Sequence, residues 1–276
     1  MPLDPHFAGR GAPPGSMRWH ALLYAPPASR DRIAAAFALE AELREIAGGT
    51  LEHGVAHAKL GWWREEALRL EEGQPRHPLT RTLLGSEASP VVLAGSLEAA
   101  LGAAEIELAQ AVLQDEPEFE HYLDGAGSAL ARLALGAAVP GDDSTVFAAA
   151  CGRSIRCVEI LRDLRRDAWR GRVFVPWAWV DEAGLGLDEL RGDTHDDRTR
   201  SLFGRLAALG RRLQHESRGA ASAQLPDGWR TLHVLAELHL AVLARIERAG
   251  FAVGREPVEL PPLSRLFIAW RAARRA

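Results

Sequence analysis

The sequence predicts an all-α protein, on three observations. Long stretches rich in Ala, Leu, Arg and Glu place apolar residues at three- and four-residue intervals, the repeat of a helix face. Gly and Pro clusters cut these stretches at intervals suited to short connections. No block combines β-branched and aromatic residues with period-two alternation.

In chain order, residues 1–16 are rich in Pro and Gly and read as a flexible leader, with a single domain over 17–276. The helical segments are 30–47, 57–73, 94–114, 118–137, 144–169, 198–217 and 229–249. Breaks fall at Gly48 and Gly49, between Gly73 and Pro78, at Glu116 and Pro117, at Pro140 and Gly141, and between Gly184 and Gly192. Ser96 and Ser144 suit N-caps and Gly250 a C-cap. Residues 173–176 (VFVP) read as briefly extended, and 218–228 as a loop inside the domain. Of the neighbours Trp62 and Trp63, one is expected in the core and one at a surface.

With 276 residues the chain can bury a substantial single core. Its 47% hydrophobic and 25% charged residues are ordinary for a soluble globular protein. A net charge of −4 gives no general affinity for nucleic acid. Lys59 is the one lysine among 33 basic residues, a bias that points to a GC-rich bacterial genome. Cys151 and Cys157 have neither redox-motif nor zinc spacing and read as reduced thiols on a helix. No apolar run is long enough to span a membrane, and the N-terminus lacks a signal pattern. These features suit the cytoplasm. Peripheral contact with an inner membrane stays open, although no basic amphipathic face stands out. No glycine-rich nucleotide loop occurs, so no nucleotide cofactor is expected.

Residues 159–176, EILRDLRRDAWRGRVFVP, hold the most chemistry. Glu159, Asp163 and Asp167 recur every fourth residue and share one stripe of a helix. Three such carboxylates repel one another unless a cation sits among them. Magnesium holding a substrate phosphate is one candidate. Ordinary pairing with Arg162, Arg166 and Arg170, each three residues after an acid, is the other. His53 and His57 have i,i+4 spacing but lack a third metal ligand.

The run ILRDLRRDAWRGRVFVP resembles the second aspartate-rich segment of the squalene/phytoene synthase family. EFEHYLDGAGSALARLALGA (118–137) resembles the family helix with a tyrosine and a small-residue turn. Segments 18–47, 60–83 and 235–272 resemble its first two helices, its third helix with the His-Pro exit, and its C-terminal helix pair. Together they cover about 250 residues. The resemblance implies an isoprenoid-synthase-type helical bundle around a cavity that is apolar along its length and acidic at its mouth. It implies head-to-head joining of prenyl diphosphates with magnesium held by two aspartate-rich motifs on facing helices. On that pattern Glu159, Asp163 and Asp167 are metal ligands, with Asp163, Asp167 and the cavity-facing Tyr122 serving catalysis.

The first motif, aspartates four apart, aligns with FALEAELREIAG (37–48), placing Arg44 and Gly48 where the aspartates belong. Glu40 and Arg44 suit a plain i,i+4 pair, and Glu42 with Glu45 a rebuilt acid pair. Arg156 and Glu159 stand where the family usually has Gln and Asn. Arg44 and Arg156 are therefore expected to grip a diphosphate directly, with Arg170 and Arg172 as further phosphate contacts. Arg44 is expected opposite Asp163. Two readings follow. One is a binding or assembly-type protein, impaired in condensation, resembling an assembly-factor branch of the family through AAFALEAELREI (35–46). It binds a prenyl diphosphate or related isoprenoid lipid and, as an assembly factor, a protein partner. The other is an active divergent bacterial prenyl transferase making a C30 or C40 isoprenoid with Mg2+. The displaced aspartates favour the first.

Overall fold

The computed structural model describes residues 3–48, 51–85, 89–136, 143–192, 195–221 and 228–275. Every regular element among them is helical. The helices are α1 (Pro5–Gly11), α2 (Met17–Leu22), α3 (Pro27–Ala47), α4 (His53–Glu71), α5 (Pro78–Leu84), α6 (Pro90–Leu108) and α7 (Glu116–Leu123). A π-helical segment (Asp124–Ala129) continues into α8 (Leu130–Leu135). Then come α9 (Asp143–Trp169), α10 (Trp177–Glu182), α11 (Leu187–Arg191), α12 (Asp197–Ala220), α13 (Trp229–Arg248) and α14 (Pro262–Arg275).

Local chemistry sets the boundaries. Pro27, Pro78, Pro90 and Pro117 open helices where their missing N–H has no partner to lose. Asp115 and Asp196 accept from the backbone N–H of Glu118 and Thr199 at 3.0 and 2.9 Å. Gly250 follows α13 at φ +63°, a left-handed end that glycine adopts freely. Ser96 lies inside α6 with its hydroxyl on the Val92 carbonyl, because Pro90 starts that helix earlier and Ser89 holds the N-cap position. Ser144 likewise lies inside α9, which is already helical at Asp143. Residues 173–176 are irregular rather than a strand.

Residues 5–11, inside the stretch read as a leader, form α1, which packs on α3 with Gly11 against the Phe37–Ala38 backbone. The expected breaks at Gly49 and at Pro140 and Gly141, and residues 222–227 of the expected loop, lie outside the described residues. Arg218 to Ala220 of that loop belong to α12.

The long α9 is the axis. It packs against α12, α13, α8 and the π-helical segment. Glycine permits the last contact: a Cβ on Gly152 would sit 2.3 Å from the Gly127 carbonyl oxygen, and one on Gly127 2.5 Å from that of Gly152. The backbones therefore touch where α9 begins its run toward the acidic stripe. Trp63 is buried and Trp62 exposed, as the sequence suggested. The buried Glu66 carboxylate accepts from the N–H groups of Arg76 and His77, 2.7 Å each, and fixes the exit from α4. No helix among the described residues is long and apolar enough to cross a membrane.

Candidate functional site

α9 presents Glu159, Asp163 and Asp167 on one face, and arginines meet each of them. Arg44, reaching across from α3, donates to Glu159 and also pairs with Glu40 at 2.7 Å. Arg18 holds the same Glu40 at 2.5 Å. Arg156, one turn before Glu159 on α9, lies 3.4 Å from it, and His239 of α13 approaches at 3.6 Å. Burial works to raise the Glu159 carboxyl, but Arg44 first, then His239 and Arg156, hold it well below the usual carboxylate range.

The deep end is a polar knot. Arg156 donates to the Tyr122 hydroxyl oxygen and, at 2.9 Å, to Glu107 of α6, while the Tyr122 hydroxyl donates to Glu107 at 2.7 Å. Tyr122 stacks on Phe174 with centroids 5.6 Å apart, and the Arg156 guanidinium sits over both rings. Burial drives the Tyr122 phenol far above its ordinary range, with Arg156 opposing. This hydroxyl is a donor, with no tendency to ionise.

At the mouth, Arg162 forks onto Asp163 at 2.9 and 2.6 Å, and Arg166 adds a third contact at 2.9 Å. Arg166 reaches Asp167 at 3.7 Å. Burial raises the Asp167 carboxyl, with Arg166 working against it. Arg170 is exposed at the end of α9. Arg172 donates to the Ala47 carbonyl at 2.8 Å and so closes the end of α3.

One expectation changes. Arg44 faces Glu159, one turn before Asp163, because Asp163 is already enclosed by two arginines of its own helix. Glu42 and Glu45 build no acid pair toward α9: Glu45 turns outward to Arg10. Arg44 and Arg156, expected to be poised for a diphosphate, are engaged by carboxylates. The sequence reading also missed Glu107 and His239, which reach the site from α6 and α13. Glu107 had no signal beyond its place near the end of a largely apolar helix.

The network of Glu40, Glu107, Glu159, Asp163 and Asp167 contains five carboxylates against the five guanidiniums of Arg18, Arg44, Arg156, Arg162 and Arg166. The cluster is balanced. Its oxygens face donors instead of converging on a point, so these residues as arranged do not fit a magnesium ion. Among the described residues no three His, Cys, Asp or Glu side chains are disposed to hold a metal. His53 and His57 stay a two-residue surface pair with Nε2 atoms 3.0 Å apart. Cys151 and Cys157 are free and buried, their thiols pushed up to about 12 by burial. Cavities of about 20 and 30 Å³ flank Glu40 and Arg156, and a larger one of about 330 Å³ lies behind the Tyr122–Phe174 stack against Gly171, Arg172, Phe174 and Trp177. Among the described residues, the Nε atom of Arg156 is buried without a hydrogen-bond acceptor, a donor left over for an anionic oxygen, whereas that of Arg166 is the atom facing Asp167.

Comparison with known proteins bears on this geometry. The squalene/phytoene synthase family model matches residues 16–266. A presqualene diphosphate synthase of Sinorhizobium fredii is 24% identical over 272 residues, covering 97% of this chain and 96% of that protein. A bifunctional lycopene cyclase/phytoene synthase of Leptosphaeria maculans is 32% identical over 121 residues, covering 44% of this chain. The matched stretch spans about a fifth (21%) of that relative's length. Among solved structures, a dehydrosqualene synthase bound to a ligand superposes with TM-score 0.77 at 16% identity, over 94% of this chain and 90% of that one. The squalene synthase HpnC from Alicyclobacillus acidocaldarius gives 0.73 at 19%, over 89% and 94%. At those identities the likeness establishes the fold: an isoprenoid-synthase-type bundle. With the family model spanning nearly the whole chain, the protein belongs to the squalene/phytoene synthase family.

Proposed function

We propose that this family member binds a prenyl diphosphate or related isoprenoid lipid without carrying out head-to-head condensation, and acts as a binding or assembly-type protein. One observation supports the non-catalytic half: Arg44 on α3 clasps Glu159 on α9, where a condensing enzyme needs acids on both walls. Loss of a diphosphate requires that its developing charge be neutralised, and a charge-balanced cluster has no spare capacity to do so. The ligand half rests on family membership and on the unmatched Arg156 Nε donor. In this reading a diphosphate takes over guanidinium forks from Glu40 and Glu159, with Arg44, one-third exposed, reached first. Arg170 at the rim is a further phosphate contact. Arg172 joins it on release from Ala47.

A second reading, a working transferase using magnesium through Glu159, Asp163 and Asp167, is favoured by the placement of Asp163 and Asp167 one turn apart on α9. It requires Arg162 and Arg166 to release Asp163. The test is incubation of purified protein with farnesyl and geranylgeranyl diphosphates plus magnesium, alongside calorimetry in EDTA. The proposal expects no C30 or C40 product and binding that persists in EDTA. Turnover abolished by Asp163→Ala establishes the transferase instead. Absence of binding with or without magnesium removes the ligand.

A further inference from the structure

α14 packs on α13 and α2 with its small residues and faces water with its large ones. Ala269 and Ala272 are buried, whereas Leu263, Leu266, Phe267 and Trp270 are 81, 47, 57 and 45% exposed. Their spacing, i, i+3, i+4 and i+7, gathers them within about 100° of the helix circumference. That is the reverse of a helix whose apolar face serves the core. α2 adds the exposed side chains Trp19 and Leu23.

The charges on this helix are all of one sign. In a chain of net charge −4, α14 carries Arg265, Arg271, Arg274 and Arg275 and no acid. Arg265 is spent on Leu260, Gly15 and Glu259. Arg271, Arg274 and Arg275 are exposed, and Arg274 lies 4.9 Å over the Trp270 ring. Leucine and phenylalanine lead the outward face, a tryptophan follows, and arginines flank its end. Apart from the Trp270 indole the stripe has no hydrogen-bonding group for a protein partner to read directionally. At 14 residues the helix is about 21 Å long, too short to span a bilayer but able to lie in its surface.

We propose that α14 is a membrane-docking element that lies in the plane of an anionic phospholipid surface. Leu263, Leu266, Phe267 and Trp270 enter the acyl boundary, and Arg271, Arg274 and Arg275 engage headgroup phosphates. This surface is independent of the site on α9.

The test is flotation of the full chain with phosphatidylcholine vesicles prepared with and without phosphatidylglycerol. Binding is expected only with phosphatidylglycerol, weakening as salt rises. Phe267→Asp with Trp270→Asp is expected to reduce it about tenfold or more, and Arg271→Ala with Arg274→Ala about fivefold or more. Far-UV circular dichroism should not change, and Val91→Asp, an equally exposed apolar site on α6, should bind as wild type. Absence of flotation with anionic vesicles overturns the proposal, as does flotation undiminished in the Phe267/Trp270 variant. A dimer in solution that this variant dissociates, with vesicles left unbound, assigns the face to a second copy of the chain and equally overturns it.

Discussion

Replacing Arg44 by Met tests the clasp between α3 and α9. The guanidinium serves two carboxylates, Glu159 and Glu40. A charge pair about 4 Å apart at an effective dielectric of about 20 is worth about 4 kcal/mol, and breaking a buried pair costs about 3–5 kcal/mol. Three features reduce that. Arg44 is one-third exposed, Glu159 keeps Arg156 and His239, and Glu40 keeps Arg18. The expected loss at pH 7 is about 2–3 kcal/mol, a fall in Tm of roughly 5–10 °C for a domain of this size. The pH dependence has a definite sign. Glu159 is depressed in the folded protein, so its contribution is present above the unfolded carboxylate value and is lost as pH falls through the folded one. Without Arg44 the folded value rises, so the deficit is full at neutral pH and closes in acid. Calorimetric melts of wild type, Arg44→Met, Glu159→Gln and the double variant, at neutral and acid pH, measure the coupling. A Tm gap that does not change with pH, or additive single-variant losses, would falsify the electrostatic account.

Three further outcomes follow from the structure. Asp167 is raised by burial, so its ionised form is penalised in the folded state above the folded pKa and the penalty vanishes below the unfolded value. Asp167→Asn should therefore raise Tm at pH 7, and its lead over wild type should shrink as pH falls through the carboxylate range, opposite to Glu159→Gln. Gly152→Ala drives a Cβ to 2.3 Å from the Gly127 carbonyl oxygen and should cost about 3 kcal/mol or more. Gly102→Ala, with open space inside α6, should stabilise by about 0.5–1 kcal/mol. Denaturant midpoints distinguish the two.

The helices were legible because apolar periodicity and proline punctuation are local. α9, α12 and α13 start within a residue of where the periodicity puts them. α6 was misjudged at its start because Ser96 looked like a cap, while Pro90 with Ser89 ahead of it had already opened the helix. α1 was hidden by its composition: Pro5 and Gly11 suggest a loose chain, yet Gly11 is what lets that helix lie on the α3 backbone. At the site, the stripe on α9 and the Glu40–Arg44 pair follow from spacing within one helix. The partners of Glu159 from other helices do not. Whether Arg44 faces Glu159 or Asp163 depends on the offset between two helices more than a hundred residues apart in sequence. Glu107 and His239 arrive from still other elements. Sequence spacing encodes which residues share a helix face, and packing decides which faces meet.

Every full-time cation around the α9 carboxylates is an arginine. A guanidinium keeps its proton throughout the physiological pH range and offers no amine for acylation or imine formation. Neither mild acidification nor lysine-directed modification can disarm the positive half of the clasp. The positive half of the clasp therefore keeps its charge whatever the proton supply, and any pH response of these ion pairs comes from the carboxylates.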